Sequence, residues 1–451
     1  MERTDFTEMD ISQAIRHIAL PSILGMFFGT LYNLADIFWV GKLGYEQIAA
    51  VALFGIYFEF AVVFNEVVGV GSVALIARHY GAKRYERVNE VVKQTIFLKL
   101  IIAGIFCITG VGLIRYIMEA LGAQGAVIAY GVSYGQIMSV GFIFMLSSFT
   151  FFTAMRGVGD AQTPMKIMIV SNLINMVLDP IFILILEWGV AGAAFASVLS
   201  QMFTFALGLS IITSGRHVVH ISTPIRFDFS TMKTILSIGL PTGAEALIRN
   251  ISNLITIRII AGFGMAVLAG VEICLRLMGL VWMPLMGLNL ACSTLVGHNL
   301  GAGKPEQAEK TALKSGYMGA AIMMGVAVLF FGIPGYLVSF FNNTPDVVQA
   351  GITCFRYVSP FLAFLGFYIP LSGAFYGSGD TNPPMIITLL MTFGYQVPLM
   401  IALSRIIGVH GVFLAYGSAM LVGLILLLIW FFRRKWKEKK VDQDAPGDTV
   451  M

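Results

Sequence analysis

The sequence predicts an all-α polytopic membrane protein with twelve transmembrane helices in two parallel six-helix repeats. Two observations carry that reading. The chain is 57% hydrophobic and only 12% charged over 451 residues, where a soluble domain carries roughly 25% charged residues. Its turn and helix signals also recur at a constant interval. Leu20-Pro21 returns as Leu240-Pro241, and Asn33-Leu34 as Asn253-Leu254. The Gly81-Ala82 to Glu86 turn returns as Gly301-Ala302 to Glu306. Gly157-Val158-Gly159-Asp160, followed by Pro164-Met165, returns as Gly377-Ser378-Gly379-Asp380, followed by Pro384-Met385. Each pair is 220 residues apart (241 less 21, or 384 less 164). Chance matches scatter, whereas a constant interval over so much chain marks an internal duplication, a common architecture of membrane transporters.

The apolar spans fall at roughly 15–40, 49–78, 91–118, 126–154, 164–187 and 190–213, then 235–261, 268–298, 311–339, 346–376, 384–407 and 409–432. Each is long enough to cross a ~30 Å hydrocarbon core. The chain thus divides into a first lobe (1–213), a linker (214–232), a second lobe (233–433) and a basic tail (434–451). The linker holds Arg216, His217, His220, Pro224, Arg226 and Asp228. Basic residues gather on one side of the membrane, among them Arg78, Lys83, Arg84, Arg87, Arg156, Lys166, Lys304 and Lys310. The opposite loops offer little beyond Lys42, Arg115 and Arg405. By the positive-inside rule both termini are cytoplasmic, in a plasma (inner) membrane. Six spans are an even number, so both repeats enter from the same side and are related by a pseudo-two-fold axis along the membrane normal. The polar, acidic N-terminus predicts no cleavable signal peptide. Cys107, Cys274, Cys292 and Cys354 lie in apolar spans without metal-ligand spacing, and read as small core residues rather than disulfides.

An ionisable group inside a membrane is costly and therefore points to function. Asp36 lies near the end of helix 1, on one face with Gly25, Gly29, Tyr32 and Asn33. Helix 5 carries Ser171, Asn172, Asn175 and Asp179, with Asn175 and Asp179 one turn apart. Helix 6 adds Ser197. Two carboxylates, an amide and a hydroxyl make a hard-oxygen set that suits a small hard cation, and two like charges in an apolar place also invite a shared proton. The duplication supplies a control. The positions of Asp36 and Asn175 become Thr256 and Tyr395, Asp179 falls among Pro398, Leu399 and Met400, and Ser197 becomes Tyr416. All four positions lose their cation-binding character together while the scaffold glycines and prolines persist. A cation site in the first lobe explains that joint loss better than packing does.

Other positions have smaller roles. Pro21 leaves the His17 carbonyl without its helical donor, and Pro180 frees that of Met176, so each is a candidate hinge or static bend. Met168 and Met176, with Tyr32, Asn33 and Tyr134, are candidate contacts to a ligand, because methionine walls adapt to varied shapes. Glu245/Arg249 and Glu272/Arg276 are spaced to neutralise each other along a helix, although Glu272 has a cationic ligand as its alternative. Asp160 and Asp380 precede helix-opening prolines and read as caps. Glu59, Glu66 and Lys99 receive no role. No Gly-x-x-x-x-Gly-Lys-Ser/Thr loop, His-Glu-x-x-His or Gly-x-Ser-x-Gly occurs, which argues against P-loop hydrolysis and intramembrane hydrolases. The chain is expected to be no enzyme and to need no cofactor beyond a coupling ion.

With these residues in view the sequence resembles the multidrug and toxic compound extrusion (MATE) transporters over its whole length. The resemblance rests on Tyr32-Asn33-Leu34-Ala35-Asp36, the Gly81 and Gly301 turns, Arg156-Gly157-Val158-Gly159-Asp160 to Thr163-Pro164, and Asn175 to Asp179-Pro180. It implies export of diverse, often cationic compounds in exchange for Na⁺ or H⁺ by alternating access. It also implies that Asp36, Asn175, Asp179 and Ser197 form the cation site, serine keeping the hydroxyl of the family's helix-6 threonine. Some relatives place essential acids in helices 7 and 10. Here helix 10 has no carboxylate after Asp346, and Glu245 is the one acid of helix 7. The resemblance implies small cationic substrates, contact with membrane lipid, a monomer and no nucleic-acid partner. The alternative is a lipid-linked precursor flippase of the same superfamily, which generally has extra helices and a cationic cavity.

Overall fold

The computed structural model describes residues 5–214, 218–220 and 227–439. Arg216, His217, Pro224 and Arg226 of the expected linker, and the tail from Lys440, lie outside these residues. The described residues are helical, with no strand among them. The first six passes are α1 (Ile11–Gly41), α2 (Tyr45–Gly81), α3 (Tyr85–Ala120), α4 (Ala126–Gly157), α5 (Gln162–Pro180) and α6 (Gly189–Thr213). The second set comprises α7 (Phe229–Ala261), α8 (Met265–Gly301), α9 (Pro305–Gly332) and the short α10 (Pro334–Ser339). It continues with α11 (Pro345–Val358), α12 (Leu362–Ser378), α13 (Asn382–Leu389), α14 (Val397–Ile407) and α15 (Val409–Phe432). Among the described residues, eleven helical segments are long and apolar enough to cross a membrane. The remaining pass is α7, 33 residues long, whose Lys233, Glu245, Arg249 and Arg258 lower its apolar character.

Local chemistry explains where helices start. Asp10 accepts from the Gln13 amide (3.0 Å), and Asp160 from both the amide and the hydroxyl of Thr163 (3.0 and 2.6 Å). Asp228 accepts from the amides of Ser230 and Thr231 (3.0 and 3.2 Å). Each supplies an acceptor to donors that a helix N-terminus leaves unpaired. The cap at Asp228 is why α7 starts at Phe229, ahead of the apolar pattern that begins near residue 235. The Asp160 capping role expected from sequence is therefore formed.

Several long spans prove to be interrupted. The fifth pass leaves α-geometry after Pro180 and continues as a π-turn, Ile181–Ile185. The ninth ends at Gly332, before Pro334, rather than running to 339, because proline cannot continue the ladder. The tenth breaks at Ser359–Phe361, where Pro360 sits. The eleventh contains a π-segment, Leu390–Gln396. Apolarity alone cannot register these breaks, since lipid and core accept the same side chains.

The duplication is visible in the backbone. Positive φ occurs at Gly44 (130°) and Gly264 (111°), at Gly159 (87°) and Gly379 (78°), and at Lys83 (59°) and Gly303 (71°). At the last pair the second copy uses the residue without a Cβ and the first tolerates lysine in the same left-handed turn.

The chain forms two compact units, Met1–Asp5 with Leu20–Gly239, and Phe6–Ala19 with Leu240–Met451. Two of the three divisions cut a helix rather than a loop. Helix α1 is divided between Ala19 and Leu20, and α7 between Gly239 and Leu240, each beside its proline, Pro21 or Pro241.

In the first unit, Gly71 lies against the Ile235 backbone and Gly239 against that of Val67, too close for a Cβ at either position. Its core includes Phe54, Tyr57, Phe142 and Leu146. In the second unit, Phe6 packs on His17 and His298. Lys304 donates to the Thr7 carbonyl and hydroxyl (3.3 and 3.0 Å).

Candidate functional site

The first unit encloses a cavity of about 480 Å³, within the usual range of roughly 300–1,000 Å³ for small-molecule sites. Helix α1 contributes Thr30, Tyr32, Asn33 and Asp36, α2 Phe54 and Phe58, α4 Tyr134, Phe142, Phe149 and Phe152, α5 Met168, Ser171 and Asn172, and α6 Ser197, Gln201 and Thr204. The wall is aromatic and sulfur-containing, with polar groups on α1, α5 and α6. Such a surface offers apolar area with few fixed directional demands.

A polar chain runs behind this wall. Tyr32 Oη and Ser197 Oγ are hydrogen-bonded at 3.0 Å, tying α1 to α6. The Asn175 amide, with its nitrogen toward Asp179, donates to Asp179 Oδ2 (3.0 Å) and accepts from the Ser197 backbone N–H (3.2 Å). That assignment pairs donors with acceptors, which the opposite one does not. Asn175 and Asp179 are 1% and 0% exposed. Nearby, Thr204 donates to Ser171 Oγ (2.6 Å), and Ser171 to the Ser200 carbonyl (2.9 Å).

Asp36 stands one helical turn beyond Tyr32. Its Oδ1 is buried without a hydrogen-bond partner among the described residues, and its charge and that of Asp179 are close enough to interact. A buried carboxylate oxygen left unpaired is expensive. A cation or proton arriving there would supply what the protein omits. The donor set is two carboxylates, an amide and a hydroxyl. Among the described residues no three His, Cys, Asp or Glu side chains gather for a transition metal.

The four cation-site candidates are thus placed together but in two layers. Asp36 and Ser197 face the cavity, whereas Asn175 and Asp179 lie behind it. Of the ligand-contact candidates, Tyr32, Asn33, Tyr134 and Met168 line the cavity. Met176, about two turns further along α5 than Met168, is not part of the lining. Sequence reading missed the aromatic wall of Phe54, Phe58, Phe149 and Phe152. Phenylalanines are so frequent in this chain that no spacing distinguishes those four.

The second unit has its own cavity, about 390 Å³, lined by Asn253, Thr256, Glu272, Trp282, Cys354 and Tyr416 among others. Thr256 is 7% exposed, and its Oγ1 is buried without a partner among the described residues. Glu245 is fully engaged instead. It accepts from Arg249 (2.7 Å), Tyr376 (2.9 Å) and Thr388 (3.3 Å). The expected Glu245/Arg249 pair therefore exists. The expected Glu272/Arg276 pair does not form among the described residues, since Glu272 faces the cavity while Arg276 is exposed outside it.

The MatE family model matches residues 21–181 and 241–401, one copy on each half. The chain belongs to the MatE family. "Probable multidrug resistance protein YoeA" of Bacillus subtilis is 25% identical, with 94% of this chain and 93% of the relative covered. Multidrug export protein MepA of Staphylococcus haemolyticus is 24% identical, covering 95% and 96%. Among solved structures, an outward-facing multidrug resistance MATE transporter of the MOP superfamily superposes with a TM-score of 0.90 at 26% identity, over 98% of this chain and 99% of that one. A MOP superfamily transporter from Pyrococcus furiosus gives 0.88 at 26% identity, over 98% and 99%. The chain therefore has the family's fold of twelve transmembrane helices in two repeats, and is a multi-pass membrane protein of a multidrug efflux transporter family.

Proposed function

We propose that the chain is a cation-coupled antiporter that exports cationic, amphipathic organic compounds by alternating access, with Na⁺ or H⁺ entering in exchange. The observation that carries this reading is the unpartnered Asp36 oxygen in the wall of an aromatic cavity, backed by the Tyr32–Ser197–Asn175–Asp179 chain. A cation at Asp36 neutralises its repulsion with Asp179, and a cationic drug in the cavity does the same from the other side. Two ligands that satisfy one pair of carboxylates displace each other, which is the requirement of antiport. Residues Asp36, Asn175, Asp179 and Ser197 hold the coupling ion, and Tyr32, Asn33, Tyr134 and Met168 contact the substrate.

Pro21 and Pro180 act as hinges in this scheme. Support comes from the unit boundary beside Pro21 and the π-turn after Pro180. We place the protein in the plasma (inner) membrane with both termini cytoplasmic, on the basic-residue distribution, and propose that it works as a monomer.

The test is export of ethidium from proteoliposomes with sodium and proton gradients imposed separately. Ethidium movement driven by either gradient, and lost in Asp36→Asn, is expected. Export that neither gradient drives would overturn the coupling.

A further inference from the structure

We propose that Cys274 and Cys354 are a redox modification site. Peroxide oxidation joins them in a disulfide that ties α8 to α11 in the wall of the second cavity and slows export. The two thiol sulfurs are 3.0 Å apart although 80 positions separate them in the chain. Both are free cysteines, 0% and 3% exposed. Closing a bond of ~2.05 Å from there requires only about 1 Å of approach.

The backbones around them are already close. One turn earlier, Gly270 of α8 lies so near α11 that a Cβ would meet the Val347 carbonyl oxygen and the Gly351 nitrogen. The repeat shows what the position does. Cys274 and Cys354 stand 220 residues after Phe54 and Tyr134, whose rings make an edge contact at 5.3 Å beside the first cavity. The same helix–helix contact is therefore aromatic in one half and a dithiol in the other. Burial alone asks for no second sulfur at such a place.

Access comes through the cavity, because Cys354 is part of its lining while Cys274 stands behind it. The Cys354 thiol reacts with hydrogen peroxide to give a sulfenic acid and one water. The Cys274 sulfur then displaces the sulfenic oxygen, forming the S–S bond, and that oxygen leaves with both remaining protons as a second water. Two thiols are oxidised and one peroxide is reduced. The bond fixes two helices of a wall that must repack when a transporter changes state. The thiol chemistry is independent of the efflux reading; only the export readout rests on it.

Full-length protein treated with hydrogen peroxide, alkylated and digested should give one cross-linked peptide pair holding Cys274 and Cys354, two hydrogens lighter than the reduced pair. Its melting temperature should rise on oxidation and fall back with dithiothreitol. Ethidium export in proteoliposomes should drop about fivefold or more and recover on reduction. Cys274→Ala should export normally and resist peroxide, while Cys292→Ala should stay sensitive. Alkylation of both thiols after peroxide, equal peroxide sensitivity in Cys274→Ala, or a cross-link with export unchanged would each overturn the proposal. A reduced wild type that exports nothing counts against the efflux reading, and the peptide and melting results then decide the site by themselves.

Discussion

At Asn33 and Asn253 the two halves put the same amide into the wall of a cavity. Three residues on, the first half places Asp36 and the second Thr256, both with a buried oxygen that finds no partner. At that position the first half thus holds an unmatched carboxyl oxygen and the second an unmatched hydroxyl. Phe58 and Met145 are answered by Met278 and Leu365, and Ser197 by Tyr416. The second half has its own buried acid, Glu245, but satisfies it with Arg249, Tyr376 and Thr388. Duplication copied a container. At this place one copy carries a carboxylate and the other a hydroxyl, while the second cavity holds a carboxylate of its own, Glu272, elsewhere in its wall.

The largest test of this contrast exchanges the charge. Asp36→Asn should reduce export to under about a tenth, since the neutral amide gives up the charge-assisted interaction with the cation, while Thr256→Ala should stay within about twofold. Equal losses in an efflux assay would mean that both positions serve packing. The same pair sharpens the energetics. Removing the unmatched Asp36 charge should leave the melting temperature unchanged or raise it. Glu245→Gln should lower it, by about 1–3 kcal/mol of stability, because three donors lose a charged acceptor. A melting temperature that falls equally in both variants would erase the distinction between a waiting and a satisfied carboxylate.

A smaller effect is expected behind the first cavity. Asn175→Ala and Ser197→Ala should weaken the effect of Na⁺ on drug affinity about tenfold while leaving proton-driven export less affected, because a proton needs only a carboxylate. Calorimetric titration of ethidium with and without Na⁺ reads this. A sodium effect that survives both variants places the ion elsewhere in the molecule.

The smallest concerns Asp228. Burial works against its ionised form, but the Thr231 hydroxyl, the Thr231 and Ser230 amides and the Arg87 charge outweigh it and hold its pKa below the usual carboxylate value. A depressed folded pKa means that the stabilisation is complete above about pH 4 and disappears as pH falls through the folded value. Asp228→Ala should cost about 0.5–1 kcal/mol at neutral pH. Thermal melts of both proteins should converge in acid; a gap that persists there would dismiss the charged cap.

Period and composition made the duplication, the twelve passes and the Asp36–Asn175–Asp179–Ser197 set legible, because a charged group in an apolar span has few innocent explanations. They could not tell that Met176 lies outside the cavity lining, or break the tenth span at Pro360. Nor could they distinguish Glu272 from Glu245, since both have an arginine four residues on. Equal spacing produced an ion pair at Glu245 and none at Glu272.

Read from its residues alone, the chain crosses the membrane in two copies of one design, and only the first carries the Asp36, Asn175, Asp179 and Ser197 oxygens. Tertiary structure decided which of those oxygens are already partnered, which phenylalanines form a wall, and that Cys274 and Cys354 meet across 80 positions of chain. The difference is one of range. Apolarity and helical period are properties of neighbouring residues, whereas hydrogen-bond satisfaction and sulfur–sulfur contact depend on which faces of distant helices come together.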